Sequence, residues 1–195
     1  MIMEDGTGSG NKLKINGRNE AETFAVVKSR AEDANDFGDA YNLNTGEETF
    51  ATSTNSGLLY YKNDEDTATI IEAVALGFRN STCTDDQLKV FVVRNPTGGT
   101  LVDAATAVDI NANRNHGSSK ALKTTSLAYK STAQNQTLTG GTDILLLYAS
   151  KSGRLFADLN IEVPRGSSLG IRVESASLAT SCYAALILHS EDTER

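Results

Sequence analysis

The stretch that decides the fold is the run Leu155-Phe156-Ala157-Asp158-Leu159-Asn160-Ile161-Glu162-Val163. Its odd-numbered positions are all apolar and the positions between them are mostly polar, which is the two-residue period of a strand with one buried face. After Pro164-Arg165-Gly166-Ser167 the same alternation returns with Leu169, Ile171 and Val173. Two such runs joined by a turn that contains Pro and Gly predict an antiparallel hairpin with one face toward solvent.

Further strands are predicted before and after this hairpin. They cover residues 22–31, 48–53, 58–62, 69–78, 88–94, 144–149 and 183–189. The apolar spacing within 69–78 also fits one face of a helix, but Thr and Ile at its start and turn signals on both sides favour a strand. The runs 144–149 and 183–189 are apolar throughout, which predicts central strands covered on both faces.

Turns and loops separate these strands. Asn55-Ser56-Gly57 and the acidic stretch 32–39 read as breaks in the strand pattern. At most one short helix is expected, near residues 103–108, within a long loop that extends to residue 119. Many short strands with antiparallel connections predict an all-β protein, an antiparallel β-sandwich of jelly-roll type.

Composition and charge disfavour several kinds of partner. The 195 residues include 18 Lys+Arg and 25 Asp+Glu, for a net charge of −7, so no net positive field would attract nucleic acid. No apolar run approaches the roughly 20 residues of a membrane-spanning helix. The first residues lack the basic and apolar segments of a secretory signal. We therefore expect neither nucleic acid nor a membrane as the partner.

The first 20 residues differ from the rest of the chain. They are rich in Gly, Asn and charge, which predicts a flexible N-terminal arm at 1–20 before a single β-sandwich domain at 21–195. Two interpretations of the arm stay open, a disordered tail or a segment that docks on a neighbouring subunit. In the second case the candidate partner-contact residues are Lys12, Leu13, Lys14 and Ile15.

No combination of residue types indicates catalysis or metal binding. The two histidines, His116 and His189, have no ligand at the usual spacing, and a solvated side chain is expected at both. Carboxylates cluster at 64–66, at 85–86 and within 33–39, where solvated turns are favoured over a calcium site because the EF-hand spacing is not met. We assign no catalytic, cofactor-binding or metal-binding residue, and we expect a protein that is not an enzyme.

The two cysteines, Cys83 and Cys182, are far apart and form no C-x-x-C pair. Cys182 lies at the start of an apolar run, where a thiol behaves as a small apolar side chain. Buried free thiols are expected at both positions, with a disulfide as the alternative.

Four features of the sequence together resemble one family of proteins. They are the Gly-rich arm, the body rich in Thr, Ser and Asn, the stretch from Asn95-Pro96-Thr97-Gly98-Gly99 to residue 119, and the ending Val163-Pro164-Arg165-Gly166-Ser167-Ser168-Leu169-Gly170-Ile171. In these features the chain resembles small bacteriophage virion proteins of jelly-roll type. It implies a capsid decoration (auxiliary head) protein or another head–tail component, commonly a homotrimer. It also implies the major capsid protein or other virion proteins as partners, a location in the virion after assembly in the host cytoplasm, and no catalytic residues.

Three hypotheses on function are therefore compared. The first is a decoration protein that cements the capsid exterior. The second is a receptor- or glycan-binding module of a tail tip or fibre. The third is an enzyme that hydrolyses glycans through two carboxylates, for which the candidates would be Asp64, Asp66, Asp85 and Asp86.

Overall fold

The computed structural model of the protein describes residues 3–4, 12–15, 21–22, 29–50, 53–79, 87–103, 111–115, 117–120, 127–130, 137–150, 152–175 and 180–190. The chain divides into two compact units, Met1–Arg30 and Ala31–Arg195. The domain boundary expected at residue 20 falls inside the first of these units.

The first unit contains a small antiparallel sheet of three strands. These strands are β1 (Met3–Glu4), β2 (Lys12–Ile15) and β3 (Ala21–Glu22). The order of the strands is β1-β2-β3, so β2 pairs with a strand on each side.

The second unit contains two short helices and eleven described strands. The helices are α1 (Arg30–Phe37), which begins at the last residue of the first unit, and α2 (Thr100–Asp103). The strands are β4 (Ala40–Asn44), β5 (Glu48–Phe50), β6 (Ser53–Lys62), β7 (Thr69–Arg79), β8 (Gln87–Arg94), β9 (Asn111–Asn113), β10 (Leu127–Lys130), β11 (Thr142–Ser150), β12 (Arg154–Val163), β13 (Ser168–Ser175) and β14 (Thr180–Ser190).

These strands form two antiparallel sheets. One has five strands in the order β10-β6-β13-β8-β11. The other has six, in the order β12-β7-β14-β4-β9, with β5 paired to the first residues of β14. The main core lies between the two sheets, and it includes Leu59, Val90 and Ile171 from the first sheet and Val74 and Leu186 from the second. The predicted all-β, antiparallel, jelly-roll-like sandwich is therefore confirmed.

The strand prediction at 69–78 is confirmed by β7. Ile71, Val74, Leu76 and Phe78 are buried in the core, and the strand pairs with β12 on one side and β14 on the other. Burying a side chain of this size is worth about 1.5–3 kcal/mol. A helix forms its backbone hydrogen bonds internally, whereas β7 exchanges them with a strand on each side. This pairing on both sides explains why the segment forms a strand.

The predicted hairpin over 155–173 is wrong. β12 pairs with β7, whereas β13 pairs with β6 and β8, so the chain crosses from one sheet to the other between them. The alternation itself is present, because Leu155, Ala157, Leu159 and Ile161 lie against the core and the residues between them are exposed. Two strands that face each other across a core show the same alternation as two strands of one hairpin, and this is why the sequence did not distinguish them.

A buried asparagine holds this crossing. Asn63 is fully buried in the turn after β6. Its side-chain amide donates hydrogen bonds to the carbonyl oxygens of Val163 and Thr67, at 2.8 and 3.0 Å. Its backbone N–H donates to the carbonyl oxygen of Ser167, and the N–H of Gly166 donates to the carbonyl oxygen of Asn63. The two inter-strand turns, 63–68 and 164–167, are therefore tied together at one end of the sandwich.

The two runs predicted to be central strands differ. β14 lies in the middle of its sheet, between β7 and β4, as predicted, but the predicted cover on both faces is wrong because Tyr183 is exposed. β11 is the outermost strand of its sheet, so the prediction for 144–149 is wrong, and Ile144, Leu146 and Tyr148 are exposed. The turn predicted at 55–57 is also wrong, because these residues lie inside β6.

The expectation of at most one helix is wrong, since α1 and α2 are both present. The strand predicted at 22–31 is wrong at its end, where Arg30 and Ala31 start α1, while residues 23–28 lie outside the described residues. Glu32 and Asp33 lie in the first helical turn, where negative charge is favoured by the helix dipole. Gly38, at φ 77°, ends the helix in a Schellman motif, with the hydrogen bonds Gly38 N–H to Asn35 O and Asp39 N–H to Ala34 O.

The helix expected near 103–108 also differs from the structure. α2 ends at Asp103, where that helix was predicted to begin. Residues 104–110 lie outside the described residues.

A second, smaller core covers part of the outer face of the five-stranded sheet. Tyr60, Val93, Leu101 and Leu138 form it, with Phe91 and Val102 packed against it. Two strand glycines make room for this layer. A Cβ atom on Gly170 would overlap the Leu138 side chain, and one on Gly57 would lie 2.8 Å from Leu101 Cδ2. Glycine in these strands therefore permits a close approach that any side chain would obstruct.

Candidate functional site

A polar cluster lies on the outer face of the six-stranded sheet. In β14, Leu186 and Leu188 belong to the core, so His189 lies on the opposite face. Its Nδ1 is 3.0 Å from Oε1 of Glu72 on β7. The same carboxylate oxygen accepts a hydrogen bond of 2.7 Å from Nη1 of Arg114. The expectation of a solvated His189 is therefore wrong, since its side chain is buried and paired with a carboxylate.

One buried polar atom of this cluster, Nε2 of His189, has no hydrogen-bond partner among the described residues. A histidine oriented by a carboxylate is one half of a proton relay. The other half would be a hydroxyl or thiol within about 2.6–3.2 Å of the free ring nitrogen. No described residue occupies that position, and the hydrogen bonds of Glu72 connect β7, β14 and the segment after β9. His116 lies outside the described residues.

A short segment matches the sequence motif of a nucleophilic serine, which the sequence analysis did not identify. Residues 166–170 read G-S-S-L-G, which fits G-x-S-x-G with Ser168 at the centre. In an α/β-hydrolase this serine occupies a turn from a strand to a helix. Here Ser168 is buried and begins β13, and its N–H donates to Oδ1 of Asn95. The local structure is thus a strand start, and it does not present a serine as a nucleophile elbow does.

Two carboxylates of the acidic turn at 64–66 form ion pairs with basic side chains that lie close to them. Lys62 Nζ is 2.9 Å from Asp64, and Arg165 Nη1 is 2.8 Å from Asp66. Glu65 is buried, and its N–H donates to Oδ1 of Asn63. The carboxylates therefore point to different partners rather than to one cation.

The other acidic clusters give no metal centre in the described parts of the chain. Asp39 pairs with Lys120 at 2.8 Å, and residues 85–86 lie outside the described residues. Across the ranges that the structure describes, no group of three His, Cys, Asp or Glu side chains could hold a metal ion. Nor does any helix within those ranges have the length and apolar character of a membrane span.

Two buried groups hold their protons strongly. Burial, with smaller contributions from the charges of Asp39 and Glu65, raises the pKa of Tyr41 to about 12. Burial also raises the pKa of the Cys182 thiol. The prediction of a buried free thiol is confirmed for Cys182, while Cys83 lies outside the described residues.

The candidate contact residues Lys12, Leu13, Lys14 and Ile15 together form β2. Along the backbone Leu13 lies opposite Met3 and Ile15 opposite Ala21. The candidates are therefore placed together on one strand. Their role as contacts stays a prediction.

Two apolar patches are exposed on the sandwich, and sequence reasoning did not identify either. The Leu146 patch consists of Ile144, Leu146 and Tyr148, which lie on the outer face of β11. Beside it Phe91 lies opposite Leu146, and the Arg172 guanidinium lies 4.4 Å from the centre of the Phe91 ring. Arg172 also pairs with Asp143 at 2.9 Å. This cation–π contact and ion pair fix the sheet surface next to the patch.

The Phe156 patch lies on the outer face of the other sheet. It consists of Phe156, Tyr183, Ala75 and Ala185, with Phe156 opposite Ala75 and Ala75 opposite Ala185 in the strand register. The Tyr183 ring covers Gly77 so closely that a Cβ atom there would overlap it. Phe156, Ala75 and Ala185 thus lie side by side on three neighbouring strands, and the Tyr183 ring lies over Gly77 in the next row. Both patches could have been found in the sequence. Phe156 is an apolar residue at a position where the alternation calls for a polar one, and residues 144–148 are all apolar.

Comparisons with known proteins do not indicate a function. No family model matches the chain, and no curated protein matches it. Among solved structures it is similar to the tumour necrosis factor Eiger from S. frugiperda, with 11% identity over 80% of this chain and 96% of that chain and a TM-score of 0.25. A similarity at this level carries no argument about function. The case for function therefore depends on the residues themselves.

Proposed function

We propose that the protein is a structural component of a bacteriophage particle, without enzymatic activity, and that it decorates and cements the capsid exterior. The proposal begins from the resemblance of its sequence to jelly-roll virion proteins. The observation that carries it is the exposure of apolar side chains on the outer faces of both sheets, in the Leu146 and Phe156 patches. Large exposed apolar patches are typical of surfaces that other proteins cover, and in this proposal the two patches serve as such surfaces.

In this proposal the arm supplies contacts to the major capsid protein and the sandwich spans neighbouring capsid subunits. Ordering a free segment costs about 1–2 kcal/mol per residue in backbone entropy. β2 is already paired with β1 and β3, which lowers that cost for Lys12–Ile15. Several arms in one assembly would increase occupancy on a repetitive surface without stronger individual contacts.

The test is binding of the purified protein to undecorated capsids, measured by co-sedimentation and electron microscopy. Deleting residues 1–17 should weaken binding, and the double variant Leu13→Asp/Ile15→Asp should weaken it as well. Phe37→Glu is the matched control, because it changes an exposed apolar side chain of α1 outside the arm. Unchanged capsid affinity in both arm variants would refute the role of the arm. No binding of the wild-type protein would refute decoration itself.

One observation favours the alternative, a receptor- or glycan-binding module of a tail tip or fibre. Tyr148, Phe156 and Tyr183 are exposed aromatic side chains, and binding sites for small ligands are often lined by aromatic residues. Binding on a glycan array, lost in Tyr148→Ala or Tyr183→Ala, would support this alternative. Decoration predicts no binding to the array and retention on capsids.

A further inference from the structure

We propose that Glu72 is a pH-sensitive attachment point for the outermost strand of the six-stranded sheet. When its carboxylate takes up a proton, the β9 segment, which we define as Asn111–Asn115, detaches from β4 while the rest of the sandwich stays folded. Three features of the molecule support this device. They are the polar contacts of the β9 segment, the β-bulge that positions Glu72, and the two basic groups that share one oxygen of its carboxylate.

Polar contacts hold the β9 segment in place. Among the described strands, β9 pairs only with β4, over three residues. The N–H of Arg114 extends this ladder by donating to the carbonyl oxygen of Ala40, and the side-chain amide of Asn113 donates to the carbonyl oxygen of Gly38. Neither hydrophobic core includes a described residue between positions 111 and 120. A segment with so few buried apolar contacts opens at a lower free energy than the core strands do.

The ion pair between Arg114 and Glu72 is the charged contact of the β9 segment. Nη1 of Arg114 lies 2.7 Å from Oε1 of Glu72, although β4 and β14 separate β9 from β7 in the sheet. The arginine side chain therefore reaches across the outer face of two strands. Hydrogen bonds between two charged groups are about twice as strong as those between neutral groups. Loss of this contact should therefore weaken the attachment more than loss of any other single side-chain contact of the segment.

A β-bulge places Glu72 where this contact can form. Ile71 and Ala73 of β7 lie opposite consecutive residues of β14, so Glu72 is an extra residue between them. A bulge of this kind turns one side chain away from the regular alternation. Here the Glu72 carboxylate lies within hydrogen-bond distance of both His189 and Arg114. The bulge thus brings a side chain of β7 to a base from β14 and a base from the β9 segment.

One carboxylate oxygen serves both bases. Oε1 of Glu72 is 2.7 Å from Nη1 of Arg114 and 3.0 Å from Nδ1 of His189. A neutral ring with its hydrogen on Nδ1 donates to Glu72 and leaves no N–H at the buried Nε2, which has no partner among the described residues. Protonated Glu72 would leave the Arg114 cation in a partly buried place without its counter-charge, which is costly. A proton on His189 would then add a second positive charge beside it. Arg114 avoids both costs by moving into water, and the β9 segment moves with it.

Few other charged groups face Glu72. On β12, on the opposite side of β7 from β14, Asp158 and Glu162 are exposed, so water and salt screen their charges. The one titratable side chain of β4, a tyrosine, lies in the core, and β9 has none. A second ion pair, Lys120 with Asp39 at 2.8 Å, lies beyond the β9 segment. It also depends on an ionised carboxylate, so the experiment has to separate the two pairs.

The direction of the pH effect follows from the charge of Glu72. The attachment uses the ionised carboxylate, so it is complete near neutral pH and weakens as the pH falls. Detachment uncovers the backbone N–H and C=O groups of β4 that β9 pairs with, and β4 becomes an open edge at which another strand can pair. The inference does not depend on the proposed function, because the purified chain should open without capsids.

The experiment measures hydrogen exchange of the Arg114 backbone amide by NMR, on the purified full chain. This amide reports on the attachment because it donates to Ala40 of β4. Protection factors, which correct for the pH dependence of exchange itself, are compared at about pH 7.5, where glutamate side chains are ionised, and at about pH 4, where most of them are protonated. The protection factor of Arg114 should fall about tenfold, the effect of losing one hydrogen bond to a charged group. The amides of β7 and β14 should keep their protection.

Four variants identify the group that responds. Glu72→Gln should show the low protection already at the higher pH, with no further loss in acid. Arg114→Gln should behave in the same way while it leaves the contact between Glu72 and His189 intact, so it replaces the first variant if that one does not fold. Glu162→Gln is the matched control, because it removes an exposed carboxylate on β12 and should behave as the wild-type protein does. Lys120→Gln breaks the second ion pair and should keep the pH dependence.

Four results would overturn the proposal. The Arg114 amide could be equally protected at both pH values. Its protection could fall together with that of β7 and β14, which would mean that the whole sandwich opens. Glu72→Gln could keep the wild-type protection and its pH dependence. The pH dependence could also disappear in Lys120→Gln, which would place the sensitive carboxylate at Asp39 instead.

Discussion

The close packing of Gly170 under Leu138 gives a quantitative prediction. A Cβ atom at position 170 would overlap the Leu138 side chain and lie 3.3 Å from Cγ of Pro96. Leu138 is fully buried, so it cannot swing into water to make room. Gly170→Ala should therefore lower the free energy of unfolding by about 1–3 kcal/mol, the usual cost of an extra carbon in a packed core.

A second substitution tests the cause. Leu138→Ala alone should cost about 2–5 kcal/mol, because it removes buried methyl groups and leaves a cavity. In the double variant the alanine at 170 occupies part of that cavity, so the two costs should not add. We expect the double variant to be more stable than the sum of the single variants by about 1–2 kcal/mol, within the range of residues in direct contact.

The assay is urea unfolding of all four proteins, with the slope checked for constancy. Gly117→Ala is the matched control, since the nearest atom to a Cβ there is Asn115 Oδ1 at an ordinary 3.4 Å, and its effect should stay within about 0.5 kcal/mol. If the two core substitutions add to within about 0.5 kcal/mol, the two residues do not compete for one space. The account of the second core would then be wrong.

The remaining predictions concern buried polar groups. Glu72→Gln should lower the free energy of unfolding by about 1–3 kcal/mol, because the buried His189 loses its carboxylate partner; an unchanged urea midpoint would contradict this. The folded state holds the Tyr41 proton more tightly than the unfolded chain, whose tyrosine has a pKa near 10.0. Stability from this group should be complete below pH 10 and decline up to pH 12, and the decline in urea midpoint should be smaller in Tyr41→Phe. In a Cys83→Ser background, Cys182 should react with a thiol reagent only after denaturant is added, because burial raises its pKa and blocks access; fast reaction of the native protein would contradict it.

The sequence was sufficient for the class of fold but not for the pairing of strands. Period-two alternation at 155–163 and at 169–173 reflects one buried face on each strand, and both strands exist with that burial. The two-sheet arrangement is held by long-range contacts, such as the hydrogen bond from Asn63 to Val163, 100 positions away. No local pattern records a contact of that range. A strand that is apolar on both faces is predicted to be central even when its outer face is exposed. This is why residues 144–149 were predicted as a central strand, although β11 is outermost in its sheet.

The polar cluster could not have been predicted either. His189 looked solvated because it is followed by an acidic segment and has no ligand at the usual spacing. Its partner Glu72 lies on a strand that is adjacent only after folding, at a register shift where β7 and β14 pair. Pairing of this kind depends on which strands become neighbours, and that depends in turn on the whole sandwich.

The position of β14 has a consequence for biosynthesis. It is the last described strand in chain order, yet it pairs with β4, β5 and β7. The central strand of the six-stranded sheet is therefore missing until residues 180–190 have left the ribosome. Nascent chains would keep the apolar sides of those three strands exposed during translation. A premature stop before residue 180 would thus yield an aggregating or degraded product rather than a shortened sandwich. A chaperone that holds the emerging chain should therefore raise the yield of soluble protein.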